Sequence, residues 1–178
     1  MSGVRYPDGW RIELLTKSHN RRAFQSGQEQ VDGWLKRSAL QSQKKHLSST
    51  KVLLDEDGQI IGYYTLASSQ VDFSDLPTEV AKSLPQRQLP VAVLAWLGVD
   101  SSVQGRGIGS RLLATALRDC HEASKTFAFI AVILDCVDES SKAFYGRYDF
   151  AELPGYPMRL YLPFKLLEKL ASNGRGTK

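Results

Sequence analysis

Apolar residues along this chain keep two spacings, one of two residues and one near 3.6, and stretches of each alternate. Residues 10–15 alternate in part and predict a first strand. Over 28–47, Val31, Trp34, Leu35 and Ala39 share one helical face, and Lys36, Arg37, Lys44 and Lys45 lie mostly off it. Ser26 with Glu29 three residues on has the spacing of a capping box, which predicts Ser26 as the N-cap of that helix. Two β-rich stretches, 51–54 and 59–66, flank Asp57-Gly58 and predict a hairpin. Residues 72–90 carry Pro77, Pro85 and Pro90 and read as a loop, with room for a short helix at 78–83. A nearly unbroken apolar run at 91–99 predicts a strand buried at its centre. Ile108, Leu112, Leu113, Ala116, Leu117 and Cys120 then recur at helical spacing. Residues 127–134 read as another buried strand, 140–148 as a short helix, 154–157 as a turn and 158–162 as a last strand. Residues 164–170 form an amphipathic end, and 171–178 read as a disordered tail.

The predicted order is strand, helix, hairpin, strand, helix, strand, helix, strand. That is an α/β (α+β) chain with helices on the faces of a sheet. Its 178 residues make one domain over 1–170, long enough for a real core. No apolar run reaches the roughly 18 residues of a membrane span, and the N-terminus lacks a signal-peptide pattern. Its two cysteines, Cys120 and Cys136, give neither a disulfide framework nor zinc spacing, so no metal is expected. These features predict a cytoplasmic protein. Charge is uneven. Residues 1–50 hold nine Lys and Arg against four Asp and Glu, a net of +5 within a total of +4, so the remainder carries −1. A cationic segment of this kind either attracts a polyanion or is a solvated helix face.

The chemistry-bearing stretch is 94–117. An apolar strand ends at Val99, a turn follows at 100–102, and Gln104-Gly105-Arg106-Gly107-Ile108-Gly109-Ser110 leads into a helix. Glycines at alternate positions leave backbone N–H groups unobstructed at a helix N-terminus, where the dipole favours an anion. A nucleotide P-loop needs a Lys after its last glycine, and none is there. A dinucleotide fingerprint counted from Gly105 fails at Ser110. The pattern that fits is Q-x-x-G-x-G on Gln104, Gly107 and Gly109. It resembles the pyrophosphate loop of the GCN5-related N-acetyltransferases (GNAT), which bind acetyl-coenzyme A; a plain glycine turn before a helix is the alternative. Ser140 to Phe150, with Ala143-Phe144-Tyr145, is similar to the A-x-x-F-Y-x-x-x-x-F helix of that family.

A narrower resemblance covers nearly the whole chain. Phe24-Gln25-Ser26-Gly27 followed by Val31-Asp32-Gly33-Trp34-Leu35 is similar to the F-x-S-G…L-D-x-W-L opening of the GNAT toxins of bacterial type II toxin–antitoxin pairs. Residues 61–67 resemble their V-G-Y-Y-x-L-A strand, and Pro157-Met158 their P-M pair. Val31 and Ser140 are minor departures. The resemblance implies the GNAT fold, a central mixed, mostly antiparallel sheet with helices on both faces. It implies transfer of acetyl from acetyl-CoA to the α-amino group of aminoacyl-tRNA, which blocks translation. It also implies a DNA-binding antitoxin of ribbon-helix-helix or helix-turn-helix type, and a homodimer.

For the donor, Leu97 and Val99 are expected to pair with the pantetheine arm, and Gln104, Gly105, Arg106, Gly107, Gly109 and Ser110 to hold the pyrophosphate. Tyr145, which lies near the coenzyme sulfur in many members, is the expected catalytic donor to the leaving thiolate. A phenol of pKa near 10 suits a thiol of comparable basicity. By spacing, Phe144 is expected to be the more deeply packed of the two, with Tyr148 and Tyr156 as weaker candidates. An aminoacyl ester's amine titrates low enough to need no dedicated base at pH 7, and His121 reads as structural. Arg21, Arg22, Lys36, Arg37, Lys44 and Lys45, with Lys142 and Arg147 beside Tyr145, are the expected RNA contacts. Two other readings stay open. One is an acetyltransferase for a small amine or protein lysine. The other is a non-catalytic nucleic-acid-binding regulator, though no helix-turn-helix pattern is present.

Overall fold

In a computed structural model of the chain, residues 4–173 are described. The strands are β1 (Arg11–Leu14), β2 (Ser49–Leu54), β3 (Ile60–Asp72), β4 (Gln88–Val99), β5 (Ala131–Asp135), β6 (Ala151–Leu153) and β7 (Tyr156–Pro163). The helices are α1 (Glu29–Gly33), which runs through a π segment (Trp34–Ser38) into α2 (Ala39–Lys44), then α3 (Thr78–Ala81), α4 (Ile108–Ser124), α5 (Glu139–Gly146) and α6 (Phe164–Asn173). The strands order as β1-β2-β3-β4-β5-β7-β6. The pairs β1/β2, β2/β3, β5/β7 and β6/β7 are antiparallel and β4/β5 is parallel. This is the mixed, mostly antiparallel sheet that the sequence implied.

The chain forms two compact units, and β3, β4 and α4 each contribute to both. One unit comprises 4–67 and Leu94–Leu117; the other comprises Ser68–Val93 and 118–173.

The first unit is built on the β2–β3 hairpin. Asp55 Oδ1 accepts the N–H groups of Asp57 and Gln59, and Gly58 takes φ +77°, so the turn needs the residues the sequence offers there. Its core gathers Leu15, Phe24, Val31, Leu35, Ala39, Val52, Leu54, Ile60 and Tyr63, with Trp34, Leu40 and Trp96 against it. The α4 stripe is buried as its spacing predicts, from Ile108 to Cys120. Each fully buried Leu there contributes on the order of 1.5–3 kcal/mol. Leu112 fits because Gly62 has no Cβ; a Cβ would lie 2.6 Å from Leu112 Cδ1.

The second unit has its own core of Val71, Leu76, Ala81, Leu89, Val91, Ala131, Ile133 and Leu153. Here α5 starts on a reciprocal capping box: Asp138 Oδ1 accepts the Ser141 N–H, and the Ser141 hydroxyl accepts the Asp138 N–H.

Several boundaries differ from expectation. The expected strand at 127–134 begins only at Ala131, and Phe127 stands exposed. β6, three residues long with two exposed positions, was not foreseen. α6 continues through Asn173, so 171–173 of the expected tail are helical; 174–178 lie outside the described residues. Ser26 is not an N-cap: the helix starts at Glu29 behind Gln28, which makes no side-chain capping bond. Ser26 turns instead to Asp32, as described below. The expected single helix over 28–47 is interrupted by the π segment and ends at Lys44, and His46 takes φ +58°.

Candidate active site

The first unit carries the glycine loop. β4 ends at Val99, and Asp100 then organises the turn. Its Oδ1 accepts the Ser102 N–H (3.0 Å) and hydroxyl (2.7 Å), and its Oδ2 accepts the Gln25 N–H (2.9 Å). Burial alone raises the Asp100 pKa, but these three hydrogen bonds and nearby Lys36 outweigh it and hold the carboxyl below its ordinary value. Gly105 and Gly107 take φ +77° and +75°, a region closed to most side chains, so these two glycines are required by the loop's shape. Arg111 donates its N–H to Gly107 O (3.2 Å), which leaves the N–H groups of Ile108, Gly109 and Ser110 before the first helical bond of α4. N–H groups in this position at a helix N-terminus can receive an anion. The Arg106 side chain is exposed; Ser110 Oγ donates to Gly107 O (3.1 Å).

Gln104 does something the sequence did not reveal. Its Nε2 donates to Val99 O (2.9 Å) and to Ser26 O (2.7 Å). The side chain therefore braces the loop from beneath, against the strand end and the 24–27 segment. Leu97 and Val99 are half-buried on β4, and Gly98 between them packs against Val31, Tyr63 and Phe24.

Most of the basic residues lie in this same unit. Arg22, Arg37, Lys44 and Lys45 are exposed, Arg21 and Lys36 are half-buried, and Arg21 Nη1 donates to Lys36 O (3.4 Å). Lys36 and Arg37 line a recess of about 410 Å³ with Gln25, Gly27, Glu29, Asp32, Gly33 and Ser101. The recess thus joins the basic helix to the turn that precedes the glycine loop.

Tyr145 lies on α5 in the second unit. It is 8% exposed and packs edge-on against Phe144 (5.1 Å) and Phe150 (5.8 Å). Phe144 is half-buried, so the expectation that Phe144 is the more deeply packed ring is reversed. Burial, then the neighbouring Cys136, push the Tyr145 pKa well above the ordinary phenol value. The phenol therefore keeps its proton at neutral pH and is a weaker acid than the match to a free thiol assumed. Lys142 forms an ion pair with Glu152, and Arg147 lies 5.6 Å over the Phe144 ring. Tyr148 is half-buried against Phe144; Tyr156 is exposed, with its hydroxyl 3.4 Å from Asp75. His121 stacks on Phe164, which fits a structural role. Among the described residues no cluster of His, Cys, Asp or Glu is arranged to hold a metal ion, and no helix is long and apolar enough to cross a membrane.

Residues 12–150, which include the strand, the glycine loop and the helix N-terminus described above, match the model of the acetyltransferase (GNAT) family. The chain belongs to the GNAT family. Among curated relatives of this GNAT chain is a tRNA-acetylating toxin of Mycobacterium tuberculosis. It is 34% identical over 143 residues, 80% of this chain and 85% of the relative. A probable toxin TacT of Sinorhizobium fredii is 30% identical over 161 residues, 85% and 89% of the two chains. Among solved structures, AtaT complexed with acetyl-methionyl-tRNAfMet superposes with a TM-score of 0.84 at 26% identity, covering 91% of this chain and 99% of that one. A tyrosine-to-phenylalanine mutant of KacT gives 0.85 at 28% identity, with the same coverage.

Three residues that the sequence did not single out for function, Ser26, Asp32 and Asp100, hydrogen-bond the segments beside the glycine loop. Asp32 accepts the N–H and the hydroxyl of Ser26, Asp100 accepts the N–H groups of Gln25 and Ser102 and the Ser102 hydroxyl, and only the F-x-S-G…D-x-W-L spacing hinted at two of the three.

Proposed function

We propose that this chain is the toxin of a type II toxin–antitoxin pair and transfers acetyl from acetyl-CoA to the α-amino group of aminoacyl-tRNA. The observation that carries this reading is the 34% identity to a tRNA-acetylating toxin across 80% of the chain. The superposition with AtaT in complex with acetyl-methionyl-tRNAfMet supports it.

In this reading 1–170 works as one catalytic domain. The backbone of Leu97 and Val99 aligns the pantetheine arm, and the amides of 105–110 hold the pyrophosphate with charge added by Arg106. Positioning of this kind converts a two-body encounter into a local one. Attack by the neutral amine on the thioester carbonyl forms the C–N bond and breaks the C–S bond; the coenzyme leaves as thiolate, and the proton that the nitrogen sheds passes to water. Tyr145, kept protonated by burial, donates a hydrogen bond to that sulfur as charge develops. Arg21, Arg22, Lys36, Arg37, Lys44 and Lys45 contact RNA phosphates, with little sequence preference. Lys142 reaches RNA only by exchanging its Glu152 partner, so Arg147 is the freer cation beside Tyr145. A ribbon-helix-helix or helix-turn-helix antitoxin, a homodimer and a cytoplasmic location complete the proposal.

The test is incubation of the protein with labelled acetyl-CoA and a panel of charged tRNAs, beside a polyamine and a histone-like peptide. Label is expected on the aminoacyl moiety of one or more tRNAs. Label on the polyamine or peptide alone overturns the proposal in favour of a small-amine or lysine acetyltransferase.

A further inference from the structure

The 24–27 segment, α1 and the glycine loop are tied by one chain of hydrogen bonds within the first unit. Asp32 Oδ1 accepts both the Ser26 N–H (2.8 Å) and the Ser26 hydroxyl (2.6 Å). The Ser26 carbonyl accepts from Gln104 Nε2 (2.7 Å), which also donates to Val99 O. A second stitch runs in parallel: Asp100 Oδ2 accepts the Gln25 N–H, and Gln25 O accepts the Ser101 N–H (2.7 Å).

Gly27 follows with φ +90°, and a Cβ there would meet nothing within 4 Å. Its requirement is therefore conformational, not steric. The turn at Gly27 brings Ser26 back onto α1, so that Asp32, six residues later, can seize both its donors. Nothing in this arrangement belongs to the hydrophobic core: Ser26 and Asp32 are half-buried and polar. Its far end is the Gln104 side chain, which ties the loop to the end of β4 through Val99 O.

We propose that Asp32 is a positioning residue for the coenzyme's pyrophosphate. It locks Ser26, the Ser26 carbonyl orients the Gln104 amide, and that amide holds the backbone of 104–110 in its anion-binding shape before the ligand arrives. The inference rests on the reading of 104–110 as the pyrophosphate loop. Asp32 touches neither coenzyme nor acceptor in this role. Its contribution is preorganisation, and it appears only with donors that carry a pyrophosphate. Asp32 also stands on the helix that carries Lys36 and Arg37, so the same lock ties the basic helix to the donor loop.

The test compares acetyl-CoA with S-acetyl-pantetheine, which has the same thioester arm and no pyrophosphate. Acetyl-CoA affinity is read by calorimetry, which needs no acceptor, and kcat/KM is read for both donors. Losing two charge-assisted hydrogen bonds is expected to weaken acetyl-CoA binding by Asp32→Ala about tenfold or more. kcat at saturating acetyl-CoA and kcat/KM for S-acetyl-pantetheine are expected to stay at the parent's values. Asp32→Asn, which keeps an acceptor oxygen, is expected to recover part of the affinity. Should Asp32→Ala not fold, Ser26→Ala removes the hydroxyl's bonds to Asp32 and to the Gln28 backbone, keeps the Ser26 N–H and carbonyl, and is expected to shift acetyl-CoA affinity in the same sense with the same selectivity. Equal losses with both donors overturn the proposal, as does a raised KM for the acceptor with acetyl-CoA affinity unchanged. A parent protein that does not prefer acetyl-CoA over S-acetyl-pantetheine overturns the pyrophosphate-loop reading itself, and the proposal with it.

Discussion

Trp34 and Trp96 stack with ring centroids 5.6 Å apart and planes 15° from parallel. Trp34 comes from the π segment after α1 and Trp96 from β4, so the stack seats the basic helix on the strand that leads to the glycine loop. Trp34 Nε1 also donates to Thr65 Oγ1 (3.0 Å), which pairs with the buried Thr50 hydroxyl (2.7 Å). Replacing Trp34 by Phe keeps a ring for the stack and removes the N–H donor and part of the contact area. A loss of about 1–2 kcal/mol of stability is expected, measured by urea unfolding. A change within about 0.3 kcal/mol would show that the hydrogen bond and the lost contact area contribute nothing.

Gly98 is expected to tolerate no side chain. An added Cβ would lie 2.5 Å from Val31 Cγ1, 3.0 Å from Tyr63 Cε1 and 3.3 Å from Phe24 Cζ, three packed groups with little freedom to move. Gly98→Ala should cost about 1–3 kcal/mol by overpacking. A thermal melt that leaves Gly98→Ala at or above the parent would contradict this.

Asp100 ties stability to pH. Its carboxyl titrates below its ordinary value because its hydrogen bonds from Gln25 and Ser102 outweigh burial. The stabilisation is therefore complete above the unfolded value of about 3.8 and is lost as pH falls through the lower, folded value. Urea unfolding between about pH 5 and 2 should show a shallower decline for Asp100→Asn than for the parent. Parallel slopes would remove Asp100 from the account.

Tyr145→Phe is expected to fold normally, since the ring contacts with Phe144 and Phe150 remain. If the phenol serves the leaving thiolate, kcat should fall about 10²- to 10⁴-fold with little change in acetyl-CoA affinity. The parent's rate should show no loss from tyrosine ionisation up to ordinary phenol pH, because burial raises the Tyr145 pKa. A full-rate Tyr145→Phe protein would leave the thiolate to another donor.

The sequence made some of this legible because the signals were local. The Asp57-Gly58 turn, the α4 stripe and the alternate glycines of 105–109 each carry their own constraint within a few residues. It misled where a local signal met a more distant competitor. Ser26 has a capping-box partner in Glu29, yet Asp32 captures its hydroxyl and its N–H together. Phe127 reads as the start of a strand, but β5 pairs only from Ala131, opposite Pro163. Phe144 and Tyr145 are adjacent, and the more buried ring, Tyr145, is the one in contact with Phe150, beyond the helix. The Gln104 side chain meets backbone 78 residues away in the chain, a pairing no spacing rule anticipates.

The π segment at Trp34–Ser38 sets a length rule for the basic helix. Val31, Leu35 and Ala39 are all buried, at steps of four residues. In a regular α-helix of 3.6 residues per turn, each such step overshoots by about 40°, and the apolar row winds away from its seat. One wider turn absorbs the overshoot and lets the four-residue row run straight. Phase, and not composition alone, therefore aims Lys36 and Arg37. Deletion of Leu35 alone would keep every cation in the chain and rotate those beyond it by about 100°.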